Sequence, residues 1–228
     1  MQDINAWMKA LEKKLVAAFA GRLLFLGLQG SRARGEAGPD SDIDVVCILD
    51  ALNSDDLDAY GAAVRSMPEG EKACGFISGR QELAVWPAYD LLTLALDTRP
   101  FRGEWESLIS LPTGAAARQT VYFGAANLYH SLCHNRLYEP LTTASIHTST
   151  KSAFFLLRAA WYLETGAWPP TARALYAALD AAAQSAAREV LALYLWPEKT
   201  SDPAEAFQLL FGWCKALLLY YGHPSADV

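Results

Sequence analysis

The stretch from Leu23 to Leu49 constrains this chain more than any other. Leu23–Leu28 is a short apolar run, and Gly30-Ser31 breaks it. Such a run, bounded by a glycine-rich break, reads as a buried strand. Arg32–Glu36 can begin a helix, which Gly35 and the Gly38-Pro39 pair end within a turn or so. A second strand is expected over Asp42–Leu49. Side chains two apart on a strand share a face, so Asp42 and Asp44 project together, their Cα atoms about 6.5–7 Å apart. Ile43, Val45, Cys47 and Leu49 line the opposite face, and Val46 and Ile48 continue the face of the aspartates. Beyond its first residues the strand is apolar on both sides, as a central strand should be.

Two carboxylates at the start of a buried strand repel each other unless a cation sits between them. Hard oxygen ligands in a partly open site suit Mg²⁺, which also takes phosphate oxygens. Gly30 lets the backbone approach a phosphate, and the N–H groups of a helix start attract anions. Gly30-Ser31-Arg32-Ala33-Arg34-Gly35 followed by Asp40-Ser41-Asp42-Ile43-Asp44 closely resembles the signature of the DNA polymerase β-like nucleotidyltransferase superfamily. The likeness is strongest to the minimal and the aminoglycoside nucleotidyltransferases, and it covers roughly residues 22–50. Gly-Ser alone or Asp-x-Asp alone is common; the two at this spacing, each at a strand edge, are specific.

The resemblance implies an NTP, with ATP as the donor, bound with its triphosphate on Gly30-Ser31. Asp42 and Asp44 would hold one or two Mg²⁺ ions. A hydroxyl of the acceptor would attack the α-phosphorus, and pyrophosphate would leave. Arg32 and Arg34 flank the signature turn and are candidate phosphate contacts, Arg34 being assigned to the nucleotide site. The family usually carries a third carboxylate on a later strand, and Glu82, Asp90 and Asp97 compete for that role. Glu82 is the first choice, because a strand Glu82–Trp86 would lie beside Asp42–Leu49; Asp97 is the second. Residues 80–97 also admit another reading, mostly helix with an interruption near Pro87.

The rest of the chain supports a two-domain layout. Its 228 residues suffice for one large domain or two small ones, and 52% hydrophobic residues make it globular. A net charge of −6 argues against general nucleic-acid binding and suits a cationic substrate. Cys47, Cys74, Cys133 and Cys214 form no CxxC pair and read as reduced core thiols of a cytoplasmic protein. No signal peptide and no membrane span is evident, since Lys215 interrupts the strongest apolar run, Leu209–Tyr221.

Helices are expected over 3–20 and 50–66, and a third strand over Ala73–Ile77. Thr98–Thr113, with Pro100, Gly103 and Pro112, reads as a linker. Candidate helices follow at 114–136, 144–166, 170–187, 186–196 and 203–222. The expected fold is therefore an α/β (α+β) nucleotidyltransferase domain with a small mixed sheet over residues 1–110, then an all-α helical bundle over 111–228.

Two further groups bear on function. His130, Cys133 and His134 share a helix face at metal-ligand spacing, but no fourth ligand is evident, and a helix surface is the preferred reading. No arginine precedes either histidine by four to six residues, which excludes a HEPN-type nuclease. Lys151 and Arg158, two turns apart, either contact phosphates or face water. The acceptor stays open between a small molecule such as an aminoglycoside and a protein hydroxyl. A non-catalytic nucleotide-binding module is the third alternative.

Overall fold

A computed structural model of the chain describes residues 3–111 and 113–222. They divide into two compact units, with the boundary between Leu111 and Pro112. In the first unit the elements run α1 (Ile4–Phe19), β1 (Leu23–Gln29), α2 (Gly30–Arg34), β2 (Ile43–Leu49), α3 (Ser54–Arg65), β3 (Ala73–Gly79), α4 (Arg80–Ala84), α5 (Ala88–Leu96) and β4 (Arg99–Arg102). The sheet order is β3-β2-β1-β4. β1 is antiparallel to β2 and β4, whereas β2 and β3 run parallel. A parallel pair needs a crossover connection, and α3 supplies it.

The two faces of β2 carry separate cores, as its alternation demands. Ile43, Val45, Cys47 and Leu49 pack with Trp7, Met8, Leu11 and Leu15 of α1 and Val64 of α3. Val46 and Ile48 pack with Phe25, Leu83, Leu91, Leu94 and Trp105. Caps fix where the flanking helices start. Asp3 accepts from the Asn5 and Ala6 amides, and Asn53 with Asp56 forms a capping box on α3. Arg22 bonds both oxygens of Asp56 at 2.8 Å, and this holds the Asp56 carboxyl down at about 2. Burial pushes the Cys47 and Cys214 thiols up to about 12, which keeps them inert. Cys74, expected in the core, is exposed.

The expected linker is instead largely part of the sheet domain. Arg99–Arg102 pairs with β1, and Trp105 is buried against Phe25, ring centroids 4.2 Å apart. Proline is tolerated there because β4 is an edge strand. Residues 80–97 are helical and interrupted at Pro87, so the strand expected over Glu82–Trp86 does not form.

The second unit holds α6 (Gly114–Tyr138), α7 (Thr143–Thr165), α8 (Ala172–Ala181), α9 (Ser185–Leu195) and α10 (Pro203–Gly222). Its core gathers Leu128, Phe154, Leu157, Leu175, Val190, Phe207 and Leu210, among others. No described helix is long and apolar enough to cross a membrane. Arg158 is neither a phosphate ligand nor solvated. Its side chain is buried, donates Nε and Nη2 to the Pro169 carbonyl at 3.2 and 2.9 Å, and lies 4.4 Å over the Trp168 ring. Arg158→Met should therefore lower unfolding free energy by about 1–3 kcal/mol, because it leaves the Pro169 carbonyl short of a donor. Denaturant titration checks this. A phosphate role would show instead as a raised KM for the nucleotide with stability intact.

Candidate active site

The site is built where β1 ends and β2 begins. Gln29 is the register partner of Asp44, so α2, which starts at Gly30, sits directly over the start of β2. Gly30 has φ +74°, and any side chain on it would collide with the Asp44 carboxylate. Only glycine meets both demands at once, left-handed backbone and close approach. The other Asp44 oxygen, Oδ1, accepts from the Cys74 thiol at 3.2 Å, across the parallel pair in which the two residues are partners.

Asp42 lies one residue before the ladder and is exposed. The backbone there is held by Arg32, whose Nε donates to the carbonyls of Ser41 and Asp42 at 3.2 and 3.0 Å and whose Nη2 donates to Ser41 at 2.7 Å. The two aspartates could hold a hard divalent cation. Among the described residues no three of His, Cys, Asp and Glu are arranged to bind a metal, so the remaining ligands would come from substrate or water.

Arg34 has a different environment from the one expected of a phosphate contact. Its Nε meets Glu36 at 2.8 Å and its Nη1 meets Asp97 at 2.6 Å. The Arg34 and Asp97 side chains are only 6% and 3% exposed, so this guanidinium is committed inside the protein.

The three candidate third carboxylates fall in different places. Glu82 lies in the first turn of α4, its carboxylate against Gly79 at the end of β3. Gly79 pairs with Leu49, five residues beyond Asp44, which puts Glu82 about 16 Å along the strand direction from the acidic pair. Asp90 is exposed in α5 and accepts from the Trp86 indole at 2.6 Å. Asp97 alone reaches the right end, since Arg99 pairs with Leu28 beside Gln29, but its carboxylate is engaged by Arg34. β4 itself, Arg99-Pro100-Phe101-Arg102, carries no acid. The signal that could have moved Asp97 ahead of Glu82 was the edge strand that follows it. A proline flanked by arginines hid that strand.

A cavity of about 190 Å³ adjoins Cys74, lined by Tyr60, Val64, Phe76 and Ile77 among others. Its lining holds no charged side chain, so it is not a phosphate site.

Residues 9–102 match the family model described as nucleotidyltransferase domain. The chain carries a nucleotidyltransferase domain. The match spans the signature turn, both aspartates and β4, and agrees with the enzyme class that the signature implies. Comparison with curated proteins by sequence found no match. Among solved structures the chain is similar to the spectinomycin adenyltransferase AAD(9) from Enterococcus faecialis, determined with ATP and spectinomycin. The TM-score is 0.59 at 15% identity, over 92% of this chain and 99% of that one. At this identity the likeness speaks for the fold, including a helical region after the nucleotidyltransferase domain.

Glu82→Gln provides a direct check on the third carboxylate. A general base contributes about 10²–10⁴-fold, whereas a residue at the far end of the sheet should leave kcat nearly unchanged. We expect the second result, read as initial rates of pyrophosphate release; a hundredfold fall would return Glu82 to the site.

Proposed function

We propose that the protein transfers a nucleoside monophosphate, AMP from ATP, to a hydroxyl of a small cationic acceptor of the aminoglycoside or aminocyclitol kind, releasing pyrophosphate. The observation that carries this reading is the contact of Gly30 with Asp44, which joins a phosphate-approach backbone to a carboxylate in one place. The similar structure contains ATP and spectinomycin, and the net charge of −6 favours a cationic acceptor.

Asp42 and Asp44 fit Mg²⁺, whose bound form needs only one or two carboxylates beside waters and phosphate oxygens. When bound, the ion would neutralise charge on the phosphates and orient them. The chain's own contribution is positional. Gly30 brings backbone against the nucleotide, the Asp44 carboxylate is set by Gly30 and Cys74, and Arg32 holds the backbone under Asp42. Arg34 serves this reading through the fold, by fixing Asp97, and not by touching phosphate.

A second reading has its own observation. β4 carries no acid and Asp97 is tied to Arg34, so the domain could bind a nucleotide without turning it over. Pyrophosphate release from each of the four NTPs, with Mg²⁺ and a panel containing spectinomycin and several aminoglycosides, separates the two. Release that requires both an acceptor and Mg²⁺ supports the transferase reading and names the donor base. Nucleotide binding with no release under any mixture supports the binding module. A mass gain on a protein in place of a small molecule would redirect the acceptor to a protein hydroxyl.

A further inference from the structure

We infer that Arg32 is a positioning residue for the metal site, acting through the backbone of Ser41 and Asp42. The inference rests on the proposed reading of Asp42 and Asp44 as cation ligands. β2 pairs from Ile43 onward, so the ladder fixes Asp44 but not Asp42. Two adjacent carbonyls, of Ser41 and Asp42, converge on one guanidinium through three hydrogen bonds of 2.7–3.2 Å. A planar fork of donors binds two acceptors in fixed geometry, which an ammonium on a flexible stem does not reproduce. The other hydrogen bonds described for Ser41 are local turn bonds to Gly38: its Oγ accepts from the Gly38 amide and its amide donates to the Gly38 carbonyl.

Charge separates positioning from attraction. Among the described residues Arg32 forms no ion pair with a carboxylate, and it donates to the neutral carbonyls of Ser41 and Asp42. A carbonyl dipole does not cancel a full charge, so the guanidinium would itself repel a cation; a loss of affinity on its removal therefore reports lost positioning and not lost charge. Arg34, two residues on in the same short helix, is neutralised by Glu36 and Asp97. The two arginines of the signature therefore divide the work. Arg34 ties α2 to the segment before β4, and Arg32 ties it to the segment before β2.

The test uses the full chain and Mn²⁺ as probe, with free Mn²⁺ read by electron paramagnetic resonance in the absence of nucleotide. Backbone amide exchange over residues 41–43 is followed in metal-free protein. Wild type is compared with Arg32→Gln, Arg32→Lys and Asp42→Asn, each first shown to retain its thermal midpoint or corrected for it. Loss of a group that orients a ligand costs about 10–100-fold in metal affinity, and this is expected for Arg32→Gln, with faster exchange at 41–43. Arg32→Lys should recover part of the affinity. Unchanged Mn²⁺ affinity in Arg32→Gln, alongside weakened binding in Asp42→Asn, overturns the inference and leaves the site reading standing. Unchanged affinity in Asp42→Asn as well overturns the site reading and the inference together.

Discussion

Asp44→Asn is expected to lower pyrophosphate release on the order of 10³-fold while leaving the fold intact. The substitution keeps the shape of the side chain, so the packing against Gly30 survives. What it removes is one negative charge from the centre of the proposed cation site. A neutral amide is a poor ligand for a hard divalent ion, and several kcal/mol of charge stabilisation would go with it. The comparison is between initial rates of the two proteins at saturating Mg²⁺ and ATP, with an acceptor identified from the panel. Retention of most of the wild-type rate would end the proposal that Asp44 holds the metal. A parallel measurement of the thermal midpoint separates loss of chemistry from loss of structure, and the midpoint should stay close to that of the wild type.

The largest effect on stability is expected at Arg34. Arg34→Met leaves the buried Asp97 carboxylate without its guanidinium, and breaking a buried pair from one side costs about 3–5 kcal/mol. In a domain of this size that lowers the thermal midpoint by more than about 10 °C. Glu36 is the lesser loser, because its side chain is 22% exposed and can turn toward water. Replacing both ends, Arg34→Met with Asp97→Leu, should recover much of the loss, since a packed apolar pair is often as stable as a buried ion pair. If Arg34→Met instead keeps its stability and loses nucleotide affinity, the side chain serves phosphate directly.

The legible part of this protein was the part where local chemistry and periodicity agree. The Gly30-Ser31 turn, the apolar run before it and the Asp-x-Asp strand after it are all written within 27 consecutive residues, Leu23 to Leu49. The helices of the second unit were legible for the same reason, each being a long segment between glycine, proline or polar breaks. What sequence reasoning missed depended on partners far away in the chain. β4 is four residues long with a proline in it, and only its pairing with β1 makes it a strand. Glu82 reads equally as strand or helix in a run of alternating character, and the packing of Leu83 against Val46 and Ile48 decides for helix. Arg34 reads as a phosphate contact, and Arg158 as a phosphate contact or a solvated cation, because arginine seldom lies fully buried unless paired. In the fold one meets Asp97, 63 residues on, and the other meets the carbonyl of Pro169.

The distribution of the four thiols has a practical consequence. Two are sealed in cores with their acidity suppressed, whereas Cys74 and Cys133 retain access to solvent. These two lie one in each unit, on either side of the boundary at Leu111 and Pro112. The native sequence thus already carries a matched pair of attachment points for maleimide dyes or nitroxides. An interlabel distance followed during titration with ATP, and then with an acceptor, would test whether the separation of the two sites changes, without a single engineered cysteine. Because Cys74 touches Asp44, a label there would need its own activity control before the distances are interpreted.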